Sequence, residues 1–127
     1  MPTILLVDDD ELVRETVAGI LTDSGYQVFK AVHGREALSI LSRNGGIEAI
    51  VLDIMMPEME GIEALREIRK GWPGIPVIMI SGGDRSGWTD ALDMASKLGA
   101  SRTLPKPFTA QQLIAELEAA LAGTKPA

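Results

Sequence analysis

Cysteine is absent from the 127 residues, which excludes disulfides, thiolate metal sites and cysteine nucleophiles. Histidine occurs once, at His33, with no second His, Asp or Cys patterned around it. It reads as a solvated loop residue. Basic residues are the minority: 12 Lys and Arg against 18 Asp and Glu leave a net charge of −6. No basic stripe of the kind a nucleic-acid binder carries is visible. No apolar run reaches the ~18 residues of a bilayer-spanning helix. The opening Met1-Pro2-Thr3 lacks the basic and apolar regions of a secretory signal. The expectation is an acidic cytoplasmic protein of one domain, with neither nucleic-acid nor membrane partners.

Against these absences stands a regular alternation of short apolar runs and helical patterns. Thr3 to Val7 reads as a strand buried on both faces. In the helical stretch that follows, Leu12, Val13, Thr16, Val17, Ile20 and Leu21 recur at three- and four-residue spacing. Tyr26 to Val32, Ala49 to Leu52, Val77 to Ile80 and Ser101 to Leu104 read as further strands. Helices are expected over Glu36 to Arg43, from Pro57 through Ile62, Leu65 and Ile68, through Leu92, Ala95 and Leu98, and after the cap Thr109, with Leu113, Ile114, Leu117 and Leu121 inward. Pro105 denies the fifth strand a ladder donor, so that strand should be short and lie at an edge. Five βα units predict an α/β fold: a doubly wound, five-stranded parallel sheet with helices on both faces. The domain is expected over residues 1–122, with a disordered tail at 123–127.

In such a sheet the chemistry gathers beyond the carboxyl ends of the strands. Strand 1 runs into Asp8-Asp9-Asp10, strand 3 into Asp53, strand 4 into Ser81-Gly82-Gly83, and strand 5 leads to Lys106. Two carboxylates ~4 Å apart repel by about 4 kcal/mol at an effective dielectric near 20. Several such pairs would rival the roughly 5–15 kcal/mol stability of a whole domain. A shared proton, the lysine or a bound cation must offset this, and one ammonium cannot balance three carboxylates. An all-oxygen set with few protein ligands suits Mg²⁺ or Mn²⁺ better than Ca²⁺. Carboxylate, hydroxyl, lysine and a hard cation make up a phosphoryl-transfer set, with either a substrate or an aspartate as nucleophile. Blander roles remain for Asp10 and Glu11, which suit a helix N-terminus, and for Met55, Met56 and Met59, which suit packing.

These residues resemble the receiver domain of bacterial response regulators, of the stand-alone kind represented by the chemotaxis regulator. The likeness rests on Ile4 to Asp10, Asp53 to Gly61, Met79 to Gly83, Leu98-Gly99-Ala100 and Lys106-Pro107-Phe108. It implies the flavodoxin-like strand order 2-1-3-4-5. It also implies that Asp53 accepts the phosphoryl group, that Asp9 holds Mg²⁺ directly and Asp8 largely through water, and that Met55 adds its backbone carbonyl. Ser81 takes the switch position and Gly82 the small position after it, while Lys106 precedes Pro107 in a peptide this family carries in the cis form. The implied partners are a sensor histidine kinase or histidine phosphotransfer protein and a downstream protein target. The chain would be a monomer or a weak phosphorylation-dependent dimer, catalysing only its own phosphorylation and dephosphorylation, with no metabolite turned over.

Two departures from that family stand out. Thr103 occupies a switch position that is usually aromatic, so an aromatic flip cannot be the readout there. The 25-residue step from Ser81 to Lys106 is a few residues longer than in the chemotaxis regulator. The extra length is placed in Gly83 to Trp88, where Trp88 offers contact area to a partner.

Three rival readings fit the residues less well. A haloacid-dehalogenase-type phosphatase would use Asp8 as nucleophile in an Asp-x-Asp motif, but it needs an acidic pair after the lysine. Glu116 and Glu118 are two apart on an expected helix and do not share a face. A flavodoxin-like cofactor binder would need a phosphate loop where three aspartates stand, and a degenerate receiver would lack phosphorylation residues that are all present. Met55 and Gly83, which flank the expected water path, bring no carboxylate or amide to orient an attacking water, so self-dephosphorylation should be slow. A polar residue introduced at either position should speed loss of the phosphoryl group several-fold in a mass-spectrometric time course, and no change at both would count against this reading.

Overall fold

Parallel strands covered on both faces are apolar along their buried stretches, as Ile4–Val7, Ala49–Leu52 and Val77–Ile80 are. The computed structural model describes residues 2–53, 60–81, 102–105 and 108–122. Its elements run β1 (Thr3–Val7), α1 (Glu11–Asp23), β2 (Gln27–Ala31), α2 (Gly34–Arg43), β3 (Ile47–Asp53), α3 (Glu60–Gly71), β4 (Val77–Ser81), β5 (Arg102–Pro105) and α4 (Ala110–Leu121). The strands form one parallel sheet, as the alternating pattern predicts, in the order β2-β1-β3-β4-β5 that the resemblance implies.

Side chains alternate between two cores. Leu5 and Val7 of β1, Ile50 and Leu52 of β3, and Val77 and Met79 of β4 pack with Ala37, Ile40 and Leu41 of α2 and Ala64, Leu65 and Ile68 of α3. Their neighbours Ile4, Leu6, Ala49, Val51, Ile78 and Ile80 pack on the other face with Val17, Ala18 and Leu21 of α1 and Leu113, Leu117 and Ala120 of α4. A strand that feeds both layers has no polar positions to spare, hence the unbroken runs.

Local chemistry sets the helix ends. Asp10 caps α1, its Oδ1 accepting from Val13 N at 3.1 Å. Thr109 caps α4 in a reciprocal box: Thr109 Oγ1 accepts from Gln112 N at 3.1 Å, and Gln112 Oε1 accepts from Thr109 N at 2.8 Å. After α1 the chain turns through Gly25 at φ +95°, a left-handed conformation that glycine adopts without a Cβ penalty.

Three expectations need correction. Leu12 is 77% exposed and Thr16 is also exposed, so neither belongs to the inward stripe of α1. At about 100° per residue, Leu12 lies about 140° around the helix from Val17 and opposite Leu21. His33 is exposed, as read, but it also caps α2: its Nδ1 accepts from Glu36 N at 3.1 Å, and Glu36 Oε1 accepts from Val32 N at 2.7 Å. The helix therefore begins at Gly34, two residues earlier than expected. Strand β3 likewise starts at Ile47, before Ala49, because the β1–β3 register shifts between Thr3 and Ile4, an irregularity that apolar patterning does not announce. The helix expected from Pro57 is described from Glu60 onward. The expected helix through Leu92, Ala95 and Leu98, the Gly83 to Trp88 segment and the tail 123–127 lie outside the described residues.

The two leucines separate core from surface by experiment. Replacing fully buried Leu65 by Ala should cost about 2–5 kcal/mol in urea unfolding. Leu12→Ala should change stability by less than about 0.5 kcal/mol.

Candidate functional site

The register builds the site. Val7 of β1 lies opposite Leu52 of β3, and the next residue on each strand is an aspartate, Asp8 and Asp53. On its other side Asp53 pairs with Ile80 of β4, whose next residue is Ser81, and Ser81 pairs with Pro105 of β5. Lys106 follows Pro105 in the chain. Asp53 shares the strand parity of Ala49 and Val51, and Asp8 that of Ile4 and Leu6, so both aspartates belong to the α1/α4 face of the sheet.

Folding brings three carboxylates together. Asp8 is 2% exposed and Asp53 5%, while Asp9 is exposed. One carboxylate oxygen from each lies within 4.8 Å of the others. At that separation the buried pair alone repels by about 3.5 kcal/mol at an effective dielectric near 20. The donors are all hard oxygens without nitrogen or sulfur, and octahedral ligands of a Mg²⁺-sized ion at 2.0–2.1 Å stand about 3–4 Å apart. The trio fits such an ion after small adjustments, and three protein oxygens leave coordination positions of an octahedral ion for water or phosphate oxygens.

The turn carrying Asp8 and Asp9 is pinned by directed bonds. Asp8 N donates to Ala31 O of β2 at 3.1 Å, extending the β1–β2 ladder. Asp8 Oδ1 accepts from Asp10 N at 2.9 Å, a local turn that short carboxylates favour. The Arg14 Nη1–H group donates to Asp8 O at 3.0 Å, and Arg14 N donates to Asp10 O at 2.8 Å. The Arg14 side chain is only 12% exposed.

Of the residues expected at the site, Asp8, Asp9 and Asp53 converge. Ser81 closes β4 beside them in the backbone register, and Thr103 lies half-buried within β5, paired with Met79. Met55, Gly82, Lys106 and Pro107 lie outside the described residues. Sequence reasoning missed Arg14. Its signal was an arginine four residues after the α1 cap, between the inward positions Val13 and Val17, where a charged group must find a partner.

Comparison with known proteins gives a consistent answer. The model of the response regulator receiver domain matches residues 4–118. Response regulator MprA of Mycobacterium leprae (strain TN) is 40% identical over 124 residues, which cover 97% of this chain and 52% of that protein. The chain thus spans about half the length of the curated relatives it matches. Among solved structures, a response regulator receiver domain protein from Clostridium thermocellum matches with a TM-score of 0.89 at 32% identity, covering 97% of this chain and 96% of that one. A CheY-like receiver domain protein from Methanospirillum hungatei JF-1 matches with a TM-score of 0.87 at 27% identity, covering 98% and 96%. The haloacid-dehalogenase reading gains no support from these relatives, and no helix among the described residues is long and apolar enough to cross a membrane. A match over residues 4–118, joined to the strand order and the aspartates that end β1 and β3, shows that the chain belongs to the receiver domains of two-component response regulators.

Proposed function

We propose that Asp53 is the phosphoryl acceptor of this receiver and that a phosphohistidine on a partner protein is the donor. The observation that carries this reading is the convergence of Asp8, Asp9 and Asp53 oxygens within 4.8 Å at the ends of two adjacent strands. A carboxylate placed there can act as nucleophile: a bond forms from an Asp53 oxygen to phosphorus while the bond from phosphorus to the donor imidazole nitrogen breaks. The imidazole is returned to the partner, and an acyl phosphate remains.

Asp8, Asp9 and Asp53, with the Met55 backbone carbonyl, would hold Mg²⁺ (or Mn²⁺). When bound, that cation supplies charge neutralisation for the oxygens of the phosphoryl group in flight. Ser81 would donate a hydrogen bond to the phosphoryl group, and Lys106 would offset its charge. Gly82 would leave the approach to the phosphoryl group free of bulk. Ser81, Thr103 and the Lys106-Pro107 segment would carry the change onward, biasing a two-state surface for a downstream protein. Thr103 is half-buried in β5, so its contribution would be a local rearrangement and not the swing of a ring. The molecule would serve signalling in the cytoplasm and turn over no metabolite, as a monomer or a weak phosphorylation-dependent dimer.

Two experiments test the reading. Incubation with a small acyl phosphate and Mg²⁺ should give a single phosphoryl adduct by intact mass, absent from Asp53→Ala; an adduct of equal yield on that variant would falsify the assignment. Thermal melts test the charge cluster. Mg²⁺ at about 100 times its dissociation constant should stabilise wild type by about 2.7 kcal/mol. Asp53→Asn, which removes one of the three carboxylates, should lose most of this gain. A wild-type melt indifferent to Mg²⁺ would remove the cation from the mechanism.

A further inference from the structure

We infer that Arg14 is a positioning residue for the cation site, setting Mg²⁺ affinity by fixing the backbone from which Asp8 and Asp9 project. The inference rests on the functional reading above but adds a residue outside its acceptor, ligand and switch set. Arg14 lies one helical turn beyond the cap of α1. Its Nη1–H group donates to Asp8 O at 3.0 Å, so the guanidinium grips the peptide between the two aspartates and touches neither carboxylate oxygen in any bond described. The opposite end of the same turn is held by Asp8 Oδ1 on Asp10 N at 2.9 Å. Carboxylates that repel one another splay apart unless their backbone is clamped, and Arg14 is the side-chain clamp.

The guanidinium is itself held in place. The Arg14 side chain is 12% exposed, and its Nε lies 3.8 Å from Glu15 Oε2. Glu15 in turn accepts from Lys30 Nζ of β2 through both oxygens at 3.0 Å. A chain of charges thus runs from the edge strand to the Asp8 carbonyl: Lys30, Glu15, Arg14. The nearly buried Arg14 stem leaves the head few alternative rotamers, which suits a role in holding geometry.

The sign of the effect separates positioning from simple electrostatics. A positive charge near a cation site repels the cation, so deleting it should tighten binding if charge were all that mattered. A clamp predicts the reverse. Partners that orient metal ligands from behind typically contribute about 10–100-fold to metal affinity.

The test is calorimetric titration of the unphosphorylated full chain with Mg²⁺, alongside thermal melts in chelator. Arg14→Met keeps the apolar stem and removes donor and charge, and it should raise the Mg²⁺ dissociation constant about ten-fold or more. Arg14→Lys, which restores one donor to the carbonyl, should recover affinity to within about three-fold of wild type. Lys30→Met, which breaks the outer ion pair but leaves the Arg14 donor on Asp8 O, should weaken affinity by no more than about three-fold. Should Arg14→Met fold poorly in chelator, Arg14→Gln is read in its place, with the same weakening expected. Affinity unchanged or tightened in the Met or Gln variant, or weakened equally in Arg14→Lys, overturns the clamp and leaves the functional reading intact. A wild-type chain that binds no Mg²⁺ overturns both.

Discussion

The constraint on which the rest of this structure depends is the enforced proximity of two buried carboxylates. Parallel pairing of β1 with β3 sets Val7 against Leu52, and the chain continues on both sides with aspartate. Neither side chain can retreat to solvent, since Asp8 is 2% and Asp53 5% exposed. Folding therefore does work against Coulomb repulsion of a few kcal/mol, supplied by the two apolar cores on either face of the sheet. Such an arrangement concentrates negative charge where two adjacent strands end, a place suited to charge of the opposite sign.

The two cores also explain why the site can be precise. Each central strand alternates its side chains between the α2/α3 layer and the α1/α4 layer, so a strand cannot slide or tilt without disturbing both. The strand ends inherit that stiffness. Beyond them, precision depends on discrete bonds: the β2 carbonyl on Asp8 N, the Asp10 amide on Asp8 Oδ1, and the Arg14 guanidinium on Asp8 O. Packing fixes where the strands stop, and hydrogen bonds fix how the next two residues leave them.

What was legible in the sequence follows the same division. The strands were legible because burial on two faces demands runs such as Ile4-Leu5-Leu6-Val7 and Val77-Ile78-Met79-Ile80. The site aspartates were legible because they break those runs at strand ends. The caps Asp10 and Thr109 carry side chains that commonly accept from helix amides. His33 in the same role was not foreseen, because an imidazole accepts there only as one tautomer. Leu12 was misplaced because an apolar residue at near-correct spacing looks inward until helix phase is fixed by the cap. Arg14 was missed for a different reason: its acceptor is a main-chain carbonyl, which every residue owns and no sequence pattern marks.

Lys30 carries one more consequence. It lies on β2, one of the two edge strands of the sheet, where edge backbone groups could template the addition of a foreign strand. Its ammonium, tethered to Glu15, puts charge on that rim, and charged side chains at such places make lateral growth of a sheet unfavourable. The ion pair linked through Arg14 to the acidic turn thus also places charge beside a border where lateral strand addition would begin.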